Sequence, residues 1–131
     1  MKEVVAALIV RKNRLLICQR TESQPMPLKW EFPGGKIESG EKPPEALRRE
    51  LQEELGIAAT IGEEVACIQH QYTGGNTLEL RFFLVHEWQG KIANRIFRTL
   101  RWARRTDLPR YDFLEADRRL VKDIANGKLI G

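Results

Sequence analysis

Residues 44–56, Pro-Glu-Ala-Leu-Arg-Arg-Glu-Leu-Gln-Glu-Glu-Leu-Gly, constrain this chain more than any other stretch. Pro44 suits a first helical turn, Glu45 to Leu55 reads as helix, and Gly56 stops it. At about 100° per residue, Leu47, Leu51 and Leu55 fall on one stripe that must face a core. The runs around this helix are β-rich. Val4 to Val10 and Leu15 to Cys18 flank the polar turn Arg11 to Arg14 and predict a hairpin. Val65 to Tyr72 and Thr77 to Trp88 flank Gly74-Gly75-Asn76 and predict a second one. Arg98 to Ala103 reads as a further strand and Glu115 to Ala125 as a final helix. The order β, β, α, β, β, β, α predicts an α/β fold, a mixed sheet between helices. Its 131 residues are the usual size of one domain, taken as 1–131.

Composition removes several function classes. The longest apolar run, Val4 to Val10, is far shorter than the roughly 20 residues of a membrane helix. No small-residue cleavage site follows it, so a secretory signal is not expected. Cys18 and Cys67 lack metal-ligand spacing and read as two buried thiols of a reducing, cytoplasmic protein. The net charge of +4 suggests an anionic partner. Its distribution is uneven: from Glu31 to Glu64 there are nine acids and four bases, so the acidic segment sits in an otherwise basic chain.

Much of that acid is on the helix. Glu50, Glu53 and Glu54 fill the sector beside the leucine stripe, at i,i+3 and i,i+4 spacings where like charges repel. Hard divalent cations need such oxygen ligands and bridge them to substrate phosphates. A solvated glutamate face eased by Arg48 and Arg49 is the other reading of the helix alone.

The longer string Gly35-Lys-Ile-Glu-Ser-Gly-Glu41, continued through Arg49-Glu50-Leu51-Gln-Glu53-Glu54-Leu-Gly56-Ile57, decides between them. It resembles the Nudix box, G-x5-E-x7-R-E-U-x-E-E-x-G-U with U aliphatic, at every defined position. The box spans residues 35–57, and Trp30-Glu31-Phe32-Pro33-Gly34 with the element order resembles the MutT-like subgroup along nearly the whole chain. The resemblance implies a Nudix-type α/β/α sandwich that hydrolyses a nucleoside or deoxynucleoside triphosphate to the monophosphate and pyrophosphate, with water attacking the β-phosphorus. It implies Mg²⁺, or Mn²⁺ in its place, held by Glu50, Glu53, Glu54 and the carbonyl of Gly34. Arg49 would orient the glutamates, with Glu53 and Glu50 the candidates for proton transfer. Glu41 would brace the loop, Gly35 its turn, and Gly56 the helix end. One position departs from the subgroup, which commonly has a glutamate six residues before the tryptophan matching Trp102. Here that residue is Ile96, and no acid lies between Glu87 and Asp107, so its role passes to Glu53 or Glu50, or to a residue that the sequence does not place.

For the base pocket the resemblance points to Asp117, with Phe113 as a neighbouring wall and Arg20 as a substrate contact. An ionised aspartate only accepts hydrogen bonds, which favours bases presenting N–H donors, as in CTP-like or oxidised guanine nucleotides. Asp117 as a plain helix cap and Arg20 as a plain surface arginine stand beside these readings. Lys91 to Arg110 holds seven bases and one acid, which suits a nucleic-acid surface, a region attracting a polyanionic nucleotide, or a solvated face. A small nucleotide ranks first as partner, nucleic acid well below it, a membrane is not expected, and monomer and homodimer both remain open. The alternatives are a catalytically weak Nudix module binding nucleotide or nucleic acid, and a nucleoside diphosphate-sugar or ADP-ribose pyrophosphatase.

Overall fold

The computed structural model describes residues 1–129; residues 130 and 131 of the expected domain lie outside it. Among the described residues, nine strands and two α-helices run in the order β1 (Lys2–Arg11), β2 (Arg14–Gln19), β3 (Trp30–Glu31), β4 (Gly34–Lys36), α1 (Pro43–Leu55), β5 (Ala58–Thr60), β6 (Glu64–Gln71), β7 (Thr77–Val85), β8 (Glu87–Gln89), β9 (Thr99–Arg104) and α2 (Arg118–Ala125). The fold is α/β, with the main sheet packed between α1 and α2. Strand β1 sits at its centre, parallel to β7 from Lys2↔Leu78 to Ile9↔Val85. Its apolar run is continuous because both faces are covered. Val5, Ala7 and Ile9 pack with Leu47, Leu51 and Leu55 of α1, and Ala6 and Leu8 pack with Leu120, Val121 and Ile124 of α2.

The first hairpin is shorter than its sequence suggests. β1 and β2 pair only at Val10↔Leu15 and Arg11↔Arg14. Beyond that point β1 takes β4 as its antiparallel partner, while β2 pairs with β9 and β3. The sheet therefore forks, and the fork opens a cleft between Val4–Ala6 on one branch and Arg20 and Glu31 on the other.

Three further departures from the sequence reading have local causes. The run Thr77–Trp88 breaks at His86, because the pairing of β7 with β1 stops at Ile9↔Val85 and Glu87–Gln89 turn away to pair with β5 in a separate two-stranded sheet. The final helix opens with a 3-10 turn at Glu115–Asp117 before α2 proper. Cys67 is exposed whereas Cys18 is buried, since Cys67 alternates outward on β6, which flanks only β7. No helix among the described residues is long and apolar enough to cross a membrane.

Candidate active site

Helix α1 delivers its carboxylates to one end of the cleft, and two glycines make room for them. A Cβ on Gly34 would fall 2.0 Å from the Val5 carbonyl oxygen, and one on Gly35 would fall 2.4 Å from Cδ of Glu50. Only a residue without a side chain lets the strand lie against β1 on one side and Glu50 on the other. The Gly34 N–H donates to Oε1 of Glu54 at 3.1 Å. Glu54 is only 8% exposed, and the Glu50 carboxyl is its neighbour on the helix. Burial, then the Glu50 charge, push its carboxyl up to about 9. Glu54 is therefore mainly protonated near neutrality, because two neighbouring like charges in a poorly solvated place do not both ionise.

That pair is the donor set of a hard cation: oxygen ligands with a deficit of positive charge. A divalent ion fits there by replacing the proton that Glu54 otherwise holds. The four expected ligands are not all assembled, however. Glu50 and Glu54 meet beside Gly34, whereas Glu53 is 58% exposed, and no group of three or more acidic, histidine or cysteine side chains converges as a metal cage among the described residues. Glu53 instead reaches Arg49 at 3.4 Å.

Arg49 joins the box together. Its Nε and Nη2 donate to the two oxygens of Glu41 at 2.8 and 2.9 Å, its Nη1 to Glu50 at 2.9 Å, and its Nη2 also to the Lys36 carbonyl at 3.0 Å. The planar guanidinium suits this forked task as an ammonium would not. The Glu41 carboxylate also accepts the Glu38 N–H at 2.9 Å. These contacts, with Arg49 foremost, lower its pKa to about 2. Gly56, at φ 70°, ends the helix in the left-handed region with its N–H on the Gln52 carbonyl.

The cleft continues from Glu54 toward Asp117 as a cavity of about 890 Å³, a size that accommodates a nucleotide. Asp117 lies 4% exposed on its wall. It occupies the N-cap position of α2 but makes no capping hydrogen bond. Burial first, then the Glu31 charge, raise its pKa to about 8. The premise of an ionised Asp117 is thereby corrected: near neutrality the group is mainly protonated, with one donor and acceptor capacity besides. Phe113 does not line this cavity. It is buried in the core beneath, its ring 5.3 Å from that of Phe32, because residues around a turn alternate between core and cleft, and the cleft positions fall to Leu114, Ala116 and Asp117. Arg20 does reach the cavity, but its Nη1 is paired with Glu31 at 3.1 Å and its Nε donates to the Pro25 carbonyl at 2.8 Å.

Glu31 and Tyr72 were not singled out from sequence, yet both line the cavity. Burial raises the Glu31 carboxyl against the pull of Arg20. An acid between two core aromatics, Trp30 and Phe32, was the available signal. Tyr72 gave none beyond an aromatic at a hairpin tip. Ile96 also lines the cavity and is 44% exposed. The basic segment is largely absorbed by structure: Arg95 donates to the Gln52 carbonyl, Arg98 pairs with Glu22, Arg105 donates to the Ala125 carbonyl and Arg110 pairs with Asp107.

Comparison with known proteins agrees with this geometry. The NUDIX domain model matches residues 1–124. The CTP pyrophosphohydrolase of Escherichia coli K12 is 38% identical over 117 residues, 89% of this chain and 86% of that protein. The 8-oxo-dGTP diphosphatase of Haemophilus influenzae is 36% identical over 124 residues, 93% of this chain and 90% of that one. Among solved structures, the E. coli ORF135 protein superposes with a TM-score of 0.84 at 38% identity, covering 93% of this chain and 86% of that one. A MutT NUDIX hydrolase from Burkholderia pseudomallei gives 0.82 at 28% identity, covering 92% and 95%. Box, carboxyl pair, cleft and relatives agree: this chain belongs to the NUDIX family of MutT-like hydrolases.

Proposed function

We propose that this protein is a divalent-metal-dependent nucleoside triphosphate pyrophosphohydrolase, releasing monophosphate and pyrophosphate, with residues 1–131 as one catalytic domain. The observation that carries the reading is a single cavity with the Glu50–Glu54 carboxyl pair at one end and the buried Asp117 at the other. Glu50, Glu54, the Gly34 carbonyl and Glu53 would hold Mg²⁺, or Mn²⁺ in its place. When bound, the ion neutralises the triphosphate and makes water nucleophilic near neutral pH. Arg49 fixes Glu50 and keeps Glu53 within reach, and Glu53, exposed to solvent, accepts the proton of water attacking the β-phosphorus. Arg20 balances the half-buried Glu31 and stands at the cavity wall to meet substrate. Protonated Asp117 offers a mixed donor and acceptor edge to the base, a pattern that suits cytosine or an oxidised guanine. The CTP and 8-oxo-dGTP specificities of the two relatives are in line with this. Unpaired Cys18 and Cys67 suit a cytoplasmic setting.

A panel of CTP, dCTP, dGTP, 8-oxo-dGTP, a nucleoside diphosphate sugar and ADP-ribose with Mg²⁺, scored for nucleoside monophosphate and pyrophosphate, tests the proposal. Pyrophosphate and monophosphate in equal amounts are expected from at least one member. Turnover confined to nucleotide sugars or ADP-ribose would overturn the substrate class. Exposed Ile96 at the cleft favours one second reading, a module that binds nucleotide with little turnover. Tight nucleotide binding without pyrophosphate release would establish it.

A further inference from the structure

Helix α1 ends on an electrostatic liability. Its last turn carries Glu53 and Glu54 and no basic residue, at the end where unpaired carbonyls gather negative partial charge. The compensation comes from elsewhere in the chain. Residues 90–98, between β8 and β9, fold over this end. Ala93 donates its N–H to the Leu55 carbonyl at 2.9 Å, and Arg95 donates its N–H to the Glu54 carbonyl at 3.1 Å. The Arg95 Nη1 donates to the Gln52 carbonyl at 3.1 Å, and the same carbonyl accepts the Gly56 N–H at 3.1 Å. The guanidinium lies flat against Gly56, where a Cβ would stand 2.8 Å from Nη2 and 3.0 Å from Cζ. Gly56 is required for its φ of 70°, and its missing side chain leaves the space that the Arg95 guanidinium fills.

The segment bearing Arg95 is itself anchored. Asn94 brackets Phe97, accepting its N–H and donating to its carbonyl, both at 2.8 Å. Phe97 is buried against the α1 side of the sheet. Arg95 is therefore presented from a fixed base and is not a wandering surface side chain.

We propose that Arg95 is a positioning residue that holds the last turn of α1 so that Glu53 and Glu54 keep their register with Glu50 and Gly34. The inference rests on the reading of α1 as the metal-holding helix. It makes a prediction whose sign separates it from simple electrostatics. A cation near a cation site repels the incoming ion, so charge alone predicts tighter metal binding when Arg95 is removed. Positioning predicts weaker binding, because the last turn loses a carbonyl partner and its charge compensation and the glutamates lose their alignment.

Mn²⁺ binding, followed by the free-ion EPR signal, is measured for the full chain, Arg95→Ala, Arg95→Lys and Glu54→Gln, with amide exchange of residues 53–57 and the Mg²⁺ dependence of turnover. Arg95 is exposed and the Asn94–Phe97 anchor stays intact, so the variants keep the fold, which a thermal melt verifies. Arg95→Ala should bind Mn²⁺ roughly threefold to tenfold more weakly. Its last-turn amides should exchange faster, and kcat should recover at saturating Mg²⁺. Arg95→Lys should lie between wild type and Arg95→Ala, keeping charge but not the flat fork. Equal or tighter Mn²⁺ binding by Arg95→Ala, with unchanged exchange, would overturn the inference while leaving the metal reading intact. A wild-type protein without Mn²⁺ binding sensitive to Glu54→Gln would overturn the metal reading, and the role of Arg95 with it.

Discussion

Replacing Asp117 with asparagine should make the protein more stable in alkaline solution while altering which base it accepts. The side chain is 4% exposed, makes no capping bond, and its carboxyl titrates near 8 against an ordinary 3.8. For an acid whose folded pKa is raised, the sign is fixed. Below pH 3.8 both states are protonated and nothing is lost. Between 3.8 and about 8 the unfolded chain ionises and the folded one does not, so stability falls by about 1.4 kcal/mol per pH unit. Above that the loss is constant, at most about 6 kcal/mol for a shift of this size. Asparagine keeps the shape and cannot ionise. Urea unfolding of wild type and Asp117→Asn at pH 5, 7 and 9 measures the difference, and subtraction removes the parallel falls from Glu31 and Glu54, whose pKa values are also raised. The gap should widen in favour of the variant by several kcal/mol from pH 5 to pH 9. Parallel profiles would refute both the burial argument and the protonated form assigned to Asp117 in base recognition.

Other perturbations follow from the same contacts. Arg49→Ala releases Glu41, Glu50 and Glu53 together and should lower kcat/KM about 10-fold to 100-fold, with Arg49→Lys recovering little because it lacks the fork; steady-state pyrophosphate assays decide. Gly35→Ala drives a methyl into Glu50 and should cost about 1–3 kcal/mol in a denaturant melt while removing most turnover. Divalent-ion affinity, measured calorimetrically, should rise from pH 6 to pH 9, because the ion competes with a proton on a carboxyl raised to about 9. Ile96→Glu adds a carboxylate to the cavity wall and should increase Mg²⁺-dependent kcat; an unchanged or lower value would show that the α1 carboxylates already suffice.

The helix and its site were legible because their signals are local. The leucine stripe and the Gly56 stop follow from helical geometry, and the spacing of Glu41, Arg49 and Glu50, read through the resemblance to the Nudix box, lies within the same 23 residues. The fork in the sheet was not legible. β4, β5 and β8 have three residues each, too few to show a period of two. Their pairing is set by partners distant in sequence. The same fork brings Glu31 to the cavity, and the second hairpin brings Tyr72, so neither could be placed by spacing alone. Asp117 and Phe113 show the limit most clearly: four residues apart, one faces the cleft and the other the core. A 3-10 turn stands where helical periodicity was expected.

Glu50 and Glu54 are proposed to hold the ion that drives pyrophosphate release. Pyrophosphate release from CTP and 8-oxo-dGTP by wild type, Glu50→Gln and Glu54→Gln, each titrated with Mg²⁺, tests it most directly. Wild type should release pyrophosphate in a Mg²⁺-dependent way, with both variants folded and reduced at least about 100-fold. Folded variants that keep wild-type turnover and an unchanged Mg²⁺ dependence would contradict it.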